Sequence, residues 1–198
     1  FSVRVPLENT YGMLLFSRFN LQDAAVRYLV EADIPSIETL VVLPSGERLR
    51  LFCLHPTPPV PQENPRSTER DKEILLVAKK ARDASEPVIV IGDLNDVAWS
   101  YTTELFSKIS GLVDPRRGRG FFNSFHAGYF FLRFPLDHIF CARSFRLRTL
   151  KRLPPCGSDH FPMLASLQYD PSASPHNAAP VPDESDRETA EEKISAPT

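Results

Sequence analysis

The sequence predicts an α+β fold built of packed sheets, and three observations carry that prediction. Strand-like apolar runs outnumber helical ones. Residues 37–43 and 48–54 are joined by Pro44-Ser45-Gly46-Glu47, a hairpin loop. Val88-Ile89-Val90-Ile91 is an unbroken β-branched run, the pattern of a strand buried on both faces. Hairpins among the strands favour packed sheets over a doubly wound parallel sheet.

The elements follow in order. Met13-Leu14-Leu15-Phe16 reads as a strand after Gly12. Residues 24–30 alternate and fit a strand or a short helix. The second hairpin arm sends Leu49, Leu51 and Cys53 to one face and Arg48, Arg50 and Phe52 to the other. Prolines crowd residues 56–65 and exclude regular structure, because they remove donors and fix φ. A helix starts at Thr68, where Thr68 and Asp71 form a capping-box pattern. Its inner face is Ile74, Leu75, Ala78 and Ala81, and Glu86-Pro87 ends it. A second helix spans residues 100–109 with Leu105, Phe106 and Ile109 inward. Residues 136–141, 145–150 and 163–167 are the remaining strands, and Pro154-Pro155-Cys156-Gly157 is a loop.

A chain of 198 residues, 42% of them apolar, suits one substantial core. The formal charge of -2 is unevenly spread: residues 170–198 hold seven acids against two bases, without apolar periodicity. That segment is expected to be a disordered acidic tail, which leaves residues 1–169 as the folded domain. Residues 115–152 hold nine Arg or Lys against the single acid Asp137. Such a run is either a solvated face or a surface for an anionic ligand. Cys53, Cys141 and Cys156 are too scattered for a metal knuckle or a disulfide framework, and the first two read as buried thiols. No apolar stretch reaches the roughly 18 residues of a membrane span. The chain opens Phe-Ser-Val rather than with Met, and the expectation is a piece of something longer.

Three acidic motifs stand where strands meet loops: Gly92-Asp93-Leu94-Asn95, Leu136-Asp137-His138-Ile139-Phe140 and Ser158-Asp159-His160. A Gly-Asp-x-Asn is by itself often an Asx turn. Asp137, however, lies between apolar residues, and a buried carboxylate has to be paired or metal-bound. Asp159 beside His160 offers a metal ligand and a proton-transfer group at one point. His55, at the end of an alternating strand, joins the set only if it shares their pocket.

In this order, and with Cys53-Leu54-His55 upstream, these motifs resemble the endonuclease/exonuclease/phosphatase superfamily. That group includes deoxyribonuclease I, exonuclease III-type nucleases, neutral sphingomyelinases and inositol-polyphosphate phosphatases. The stretch from Glu8 to Arg18, in which Gly12 leads through an apolar run to Ser17-Arg18, is similar as well. The resemblance covers about residues 8 to 169.

It implies a four-layer αββα sandwich, two packed sheets flanked by helices, with a Mg²⁺ or Mn²⁺ site at one end of the sheets. By the same resemblance Asp159 is a metal ligand or holds metal-bound water, and His160 contacts the scissile phosphate and helps activate the attacking water. Asp137 pairs with His160 and favours its protonated form. Asp93 acts near the leaving group or a second metal position, Asn95 orients phosphate or nucleophile or ligates metal, and His55 donates to a phosphate oxygen. Arg18 reads as a structural ion pair. The metal set is thus Asp159, Asp93 and Asn95.

The family's metal site also uses a glutamate in a Gln-Glu motif on an early strand and an asparagine on the strand before it. Neither occupies such a position here. The expectation is an N-terminal truncation with the first strands missing, about 60 to 80 residues of a usual single domain. The implied function is a divalent-metal-dependent phosphohydrolase, a phosphodiesterase or nuclease. Alternatives are a non-catalytic binding module and a phospholipid-directed, sphingomyelinase-like phosphodiesterase. Nucleic acid and phospholipid are the partners implied, with membrane attachment through a segment absent from this chain. Arginines and Phe121, Phe122, Phe125, Tyr129, Phe130 and Phe131 suit either partner, although core packing also accounts for such aromatics.

Overall fold

Residues 1–59, 67–172 and 180–197 are described by a computed structural model. Strands β1 (Ser2–Val5) and β2 (Met13–Phe16) form an antiparallel pair. Next come β3 (Asn20–Arg27), β4 (Ser36–Val42), β5 (Arg48–Leu54), β6 (Val88–Asp93) and β7 (Asp137–Cys141), hydrogen-bonded in that order into a five-stranded sheet. Only β5 and β6 run parallel within it. A second antiparallel pair, β8 (Phe145–Arg152) and β9 (Met163–Tyr169), completes the strands. The helices are α1 (Thr68–Asp83), α2 (Tyr101–Ser110) and α3 (Glu184–Ser195).

Alternation along the central strands explains the layers. Phe52 and Leu54 of β5, Val88 and Val90 of β6 and Phe140 of β7 point to one face, where they meet Ile74, Leu75 and Ala78 of α1 and Leu105, Phe106 and Ile109 of α2. The Phe106 and Phe140 rings pack at 4.5 Å. The other face carries Ile37, Val41, Leu49, Leu51, Cys53, Ile89 and Ile91. It packs on Val5, Met13 and Leu15 of the first pair and Phe145 and Leu167 of the second. Burial of each such side chain contributes roughly 1.5–3 kcal/mol. The expected strand buried on both faces is therefore β6, and a central sheet with helices on one face and two strand pairs packed on the other is consistent with the expected αββα sandwich.

Several elements differ from the sequence reading. β1 was unforeseen, because four residues with exposed Ser2 and Arg4 show little pattern. β3 begins at Asn20 rather than residue 24. A register shift between Gln22 and Ala25, with Asp23 at φ 51°, breaks its alternation. The cap of α1 is Ser67, not Thr68, and Asp71 instead accepts hydrogen bonds from Ser67, Arg70 and Lys193. Ser100 does cap α2, accepting the Thr103 N–H at 2.9 Å. Of the proline-rich stretch 56–65, residues 60–66 lie outside the described residues.

The largest correction concerns the acidic tail. Residues 184–195 form α3 rather than a disordered segment. Asp183 and Asp186 make a reciprocal capping box, and Ala190 is buried against the helical layer. Opposite charges fasten it: Lys193 to Asp71 at 2.6 Å, Lys108 to Asp186 at 3.0 Å and Lys79 to Glu191 at 2.7 Å. So few apolar residues touch the core that periodicity could not reveal the helix.

Candidate active site

Three strand ends converge on one point. β5 and β6 are parallel and in register at Leu54 and Gly92, so His55 leaves β5 beside Asp93. β6 and β7 are antiparallel with Asp93 opposite Asp137, which places both carboxylates on one face of the sheet. Gly92 is required there. Its φ is +146°, and a Cβ would stand 1.9 Å from the Leu54 carbonyl oxygen. Backbone bridges from Phe125 to Phe134 and to His160 bring the Ser158-Asp159-His160 loop to the same edge.

His160 is the hub. Its Nδ1–H donates to Asp137 Oδ2 at 2.7 Å, and its Nε2 lies 3.4 Å from Asp93 Oδ2. His55 Nε2 is 3.9 Å from the same Asp93 oxygen. All four side chains are half-buried or nearly so, His55 being the most exposed at 30%. The hydrogen bond to Asp137 lifts His160 above the ordinary imidazole value, against the effect of its burial. Burial acts to raise Asp137, but the hydrogen bonds from His160 and Ser124 outweigh it and keep the carboxyl below its usual range. Burial, reinforced by the charge of Asp137, pushes Asp93 up. Burial also holds His55 down, so it stays neutral near pH 7. The edge thus presents an imidazole whose protonated form is favoured by the carboxylate it is clamped to, with a second imidazole and a second carboxyl alongside.

Asn95 takes the left-handed conformation, φ 49°, in an Asx turn that donates its N–H to Asp93 Oδ1 at 2.8 Å. Its amide donates to the Pro56 carbonyl at 2.9 Å and ties the Asp93 turn to the residue after His55. Asp159 is exposed. Its carboxylate accepts from Ser158 Oγ at 3.3 Å, and its carbonyl accepts the Ala127 N–H at 2.6 Å. Arg18 is exposed, and no described acid pairs with it.

Four residues support the site in ways that the sequence reading does not assign to them. The Tyr11 ring packs 5.1 Å from His55, and the Phe125 ring 4.9 Å from His160. Ser124, fully buried, accepts the Asp137 N–H at 3.1 Å. Arg116, from the basic run, is buried. It donates to Asp114 at 2.7 Å, to the Asp137 carbonyl at 3.1 Å and to His138 Nδ1 at 2.7 Å. His138 is therefore a core residue. Burial, aided by the Arg116 charge, pushes it down to about 4, and its Nε2–H donates to the Asp96 carbonyl. No local signal marks these contacts, which join segments far apart in sequence.

The donors do not fit a complete metal centre. Mg²⁺ and Mn²⁺ prefer several oxygen ligands. Asp93 brings one carboxylate, while Asp137 is committed to His160 and the Asn95 amide to Pro56. Among the described residues no three His, Cys, Asp or Glu side chains converge as a metal site.

Known proteins share this arrangement at the level of family and fold. The sequence profile of the Endonuclease/Exonuclease/phosphatase family matches residues 4–160. Among solved structures, a protein of that family from Bacteroides thetaiotaomicron has a TM-score of 0.67 at 20% identity, over 89% of this chain and 75% of its own. The human Nocturnin catalytic domain with bound sulfate anion gives 0.64 at 16%, over 85% and 72%. D. rerio TDP2 complexed with single strand DNA product gives 0.65 at 17%, over 85% and 76%. At such identities the likeness is one of fold. No functionally curated protein is significantly similar in sequence.

Proposed function

The chain belongs to the endonuclease/exonuclease/phosphatase family, and we propose that it is a phosphoric-ester hydrolase, a phosphodiesterase or nuclease of the deoxyribonuclease I and exonuclease III kind. The observation that carries this reading is the hydrogen bond from His160 Nδ1 to Asp137 Oδ2, which leaves Nε2 facing the Asp93 and His55 side chains at the end of the sheets.

A phosphodiester is anionic, and attack by water adds charge to its oxygens while a proton leaves the water and the departing oxygen gains one. Donors already aimed at that charge cost no reorganisation during the reaction. In the proposal His160, kept protonated by Asp137, offers Nε2–H to a phosphoryl oxygen. Asp93 is the base or leaving-group partner beside it, in reach of the same atom. His55, neutral, donates its ring N–H to the adjacent phosphoryl oxygen. Asn95 acts as a positioning residue through the Asp93 turn, and Asp159 lends negative charge at the rim. Dependence on Mg²⁺ or Mn²⁺ is the finer expectation, carried by the family resemblance alone. Because the described donors do not fit a complete centre, none of these roles is routed through a cation. Residues 1–169 are proposed as the catalytic domain, with α3 packed on its helical layer.

The test is release of nitrophenol from bis(p-nitrophenyl) phosphate, with Mg²⁺ or Mn²⁺ and with a chelator, for the full chain and His160→Ala. The expected loss on substitution is about 100- to 10,000-fold. Equal rates for the two proteins would leave a non-catalytic binding module in its place. Activity that survives chelation would remove the metal requirement while keeping the hydrolase.

A further inference from the structure

The loop that follows Phe125, whose backbone bridges to His160, carries a run of exposed apolar residues. Tyr129, Phe130, Phe131 and Leu132 are consecutive, and 61%, 75%, 93% and 61% of their surfaces face solvent. A run of four such side chains is not the scattered exposure that any surface shows. The loop is built rather than slack. Its stem is closed by backbone hydrogen bonds of Ser124 and Phe125 to the Phe134 carbonyl, each 3.0 Å. Arg133 fixes the tip, donating to the Tyr129 carbonyl at 2.9 Å while its guanidinium lies 5.3 Å over Phe130 and 4.9 Å over Phe161. Elsewhere on the surface Trp99 and Phe121 form a second exposed pair, 5.1 Å apart and edge-on.

We propose that this tip inserts into the interface of an anionic phospholipid bilayer. Two aspects of its chemistry select that partner over a single-stranded nucleic acid. Base stacking needs an open aromatic face, and Arg133 covers one face of Phe130, its guanidinium 5.3 Å from the ring centroid. Leu132 has no face to offer, but a bilayer accepts aliphatic and aromatic groups in any orientation. The same stretch of chain supplies the complementary charge. Between Pro115 and Asp137 the chain has four arginines and no acid, and Arg117 and Arg119 are exposed. Arginines at headgroup level above inserted aromatics are the pattern of an interfacial anchor. Among the described residues no helix is long and apolar enough to cross a membrane.

The anchor and the site are mechanically one. Phe125, at the loop stem, bridges to His160, and Ala127 donates to the Asp159 carbonyl at 2.6 Å. A docked tip therefore holds the His160–Asp137 edge near the headgroup layer. In so far as the hydrolase reading holds, the substrate is then a phosphodiester displayed at a lipid surface. The docking itself does not depend on catalysis.

Co-sedimentation of the full chain with vesicles tests the proposal. One set is phosphatidylcholine with about one-third phosphatidylserine and the other is phosphatidylcholine alone. The chain is expected to bind the anionic vesicles, with binding weakened by salt and on the neutral set. Phe130→Ser/Phe131→Ser should lose about a hundredfold in partitioning, roughly tenfold for each ring no longer buried. Arg117→Glu/Arg119→Glu should lose the preference for anionic lipid. Circular dichroism confirms that both variants fold. Absence of wild-type binding to anionic vesicles, or equal binding by the phenylalanine variant, overturns the proposal. So does binding of a single-stranded oligonucleotide that the same variant abolishes, if vesicles are not bound. Hydrolysis of soluble bis(p-nitrophenyl) phosphate is measured alongside. Its absence with vesicle binding intact would defeat the hydrolase reading and leave the anchor.

Discussion

Asp137 and His160 lie 2.7 Å apart, Oδ2 to Nδ1, and the other nitrogen of that imidazole faces Asp93 Oδ2 at 3.4 Å. One ring thus bridges two carboxyls that the β6–β7 register sets opposite each other. The nearer carboxylate sits below its usual range and the other is pushed up, so the ring is closely paired to the charge of Asp137 and only loosely to Asp93.

The first prediction follows from that asymmetry. In an NMR titration the His160 imidazole should have its midpoint above 6.5, and Asp137→Asn should bring it down, because the main cause of the shift is the lost hydrogen bond. The alkaline limb of the rate profile should move the same way. The linkage has a definite sign. A histidine with its folded value raised contributes stability that is fully present below about pH 6.5 and is lost as pH rises through the folded value. Asp137→Asn should therefore cost more in melting temperature at pH 6 than at pH 9. An unmoved His160 midpoint would show that the two groups are uncoupled.

Gly92 tests how the strands deliver the site. A Cβ at this position would meet the Leu54 carbonyl oxygen at 1.9 Å, and the φ of +146° disfavours any side chain. Gly92→Ala should force β5 and β6 apart where His55 and Asp93 emerge. The expected cost is about 3 kcal/mol or more in chemical denaturation, with hydrolysis falling further than the folded fraction. A variant with wild-type stability would mean that the strand ends can shift freely.

The sequence made the β-rich half of the fold legible because alternation and β-branching report burial directly. β6 and the β4–β5 hairpin are where residues 88–91 and 37–54 indicated. α3 was hidden, since its docking rests on Ala190 and on ion pairs with α1 and α2. The site divided along similar lines. Asp93, Asp137, His160 and His55 converge, as motifs at strand ends suggested, whereas Asp159 points to solvent and Asn95 spends its amide on Pro56. The Tyr11 and Phe125 contacts depend on chain crossings that no local pattern encodes.

Arg116 was legible only as one of nine basic residues, yet it is 6% exposed and serves the core. It joins Asp114, the Asp137 carbonyl and neutral His138 behind the site. Truncation leaves the Asp114 carboxylate buried without its cation, and such losses cost about 3–5 kcal/mol. Arg116→Ala should accordingly lower stability by that order in urea denaturation. The exposed Arg117→Ala should change it by less than about 0.5 kcal/mol. Similar losses for both would mean that the run acts only through its net charge.

Glu73 of α1 carries the last prediction. It is 1% exposed, its Oε1 has no hydrogen-bond partner among the described residues, and burial, with the Glu31 charge adding, pushes it up to about 8. Glu31 is itself engaged by the Thr57 hydroxyl, so it offers Glu73 repulsion rather than a bond. An unfolded glutamate ionises near 4.5, and between that pH and about 8 the folded chain holds a proton that the unfolded chain has released. Stability therefore falls as pH rises through this window, by up to about 1.4 kcal/mol per pH unit from this group, and levels off above it. Glu73→Gln removes the charge while keeping the shape. It should match the wild type below pH 4.5 and gain progressively in melting temperature up to pH 8. Parallel stability curves for the two proteins across that range would show that Glu73 is ionised in the fold, and that a partner for its charge exists.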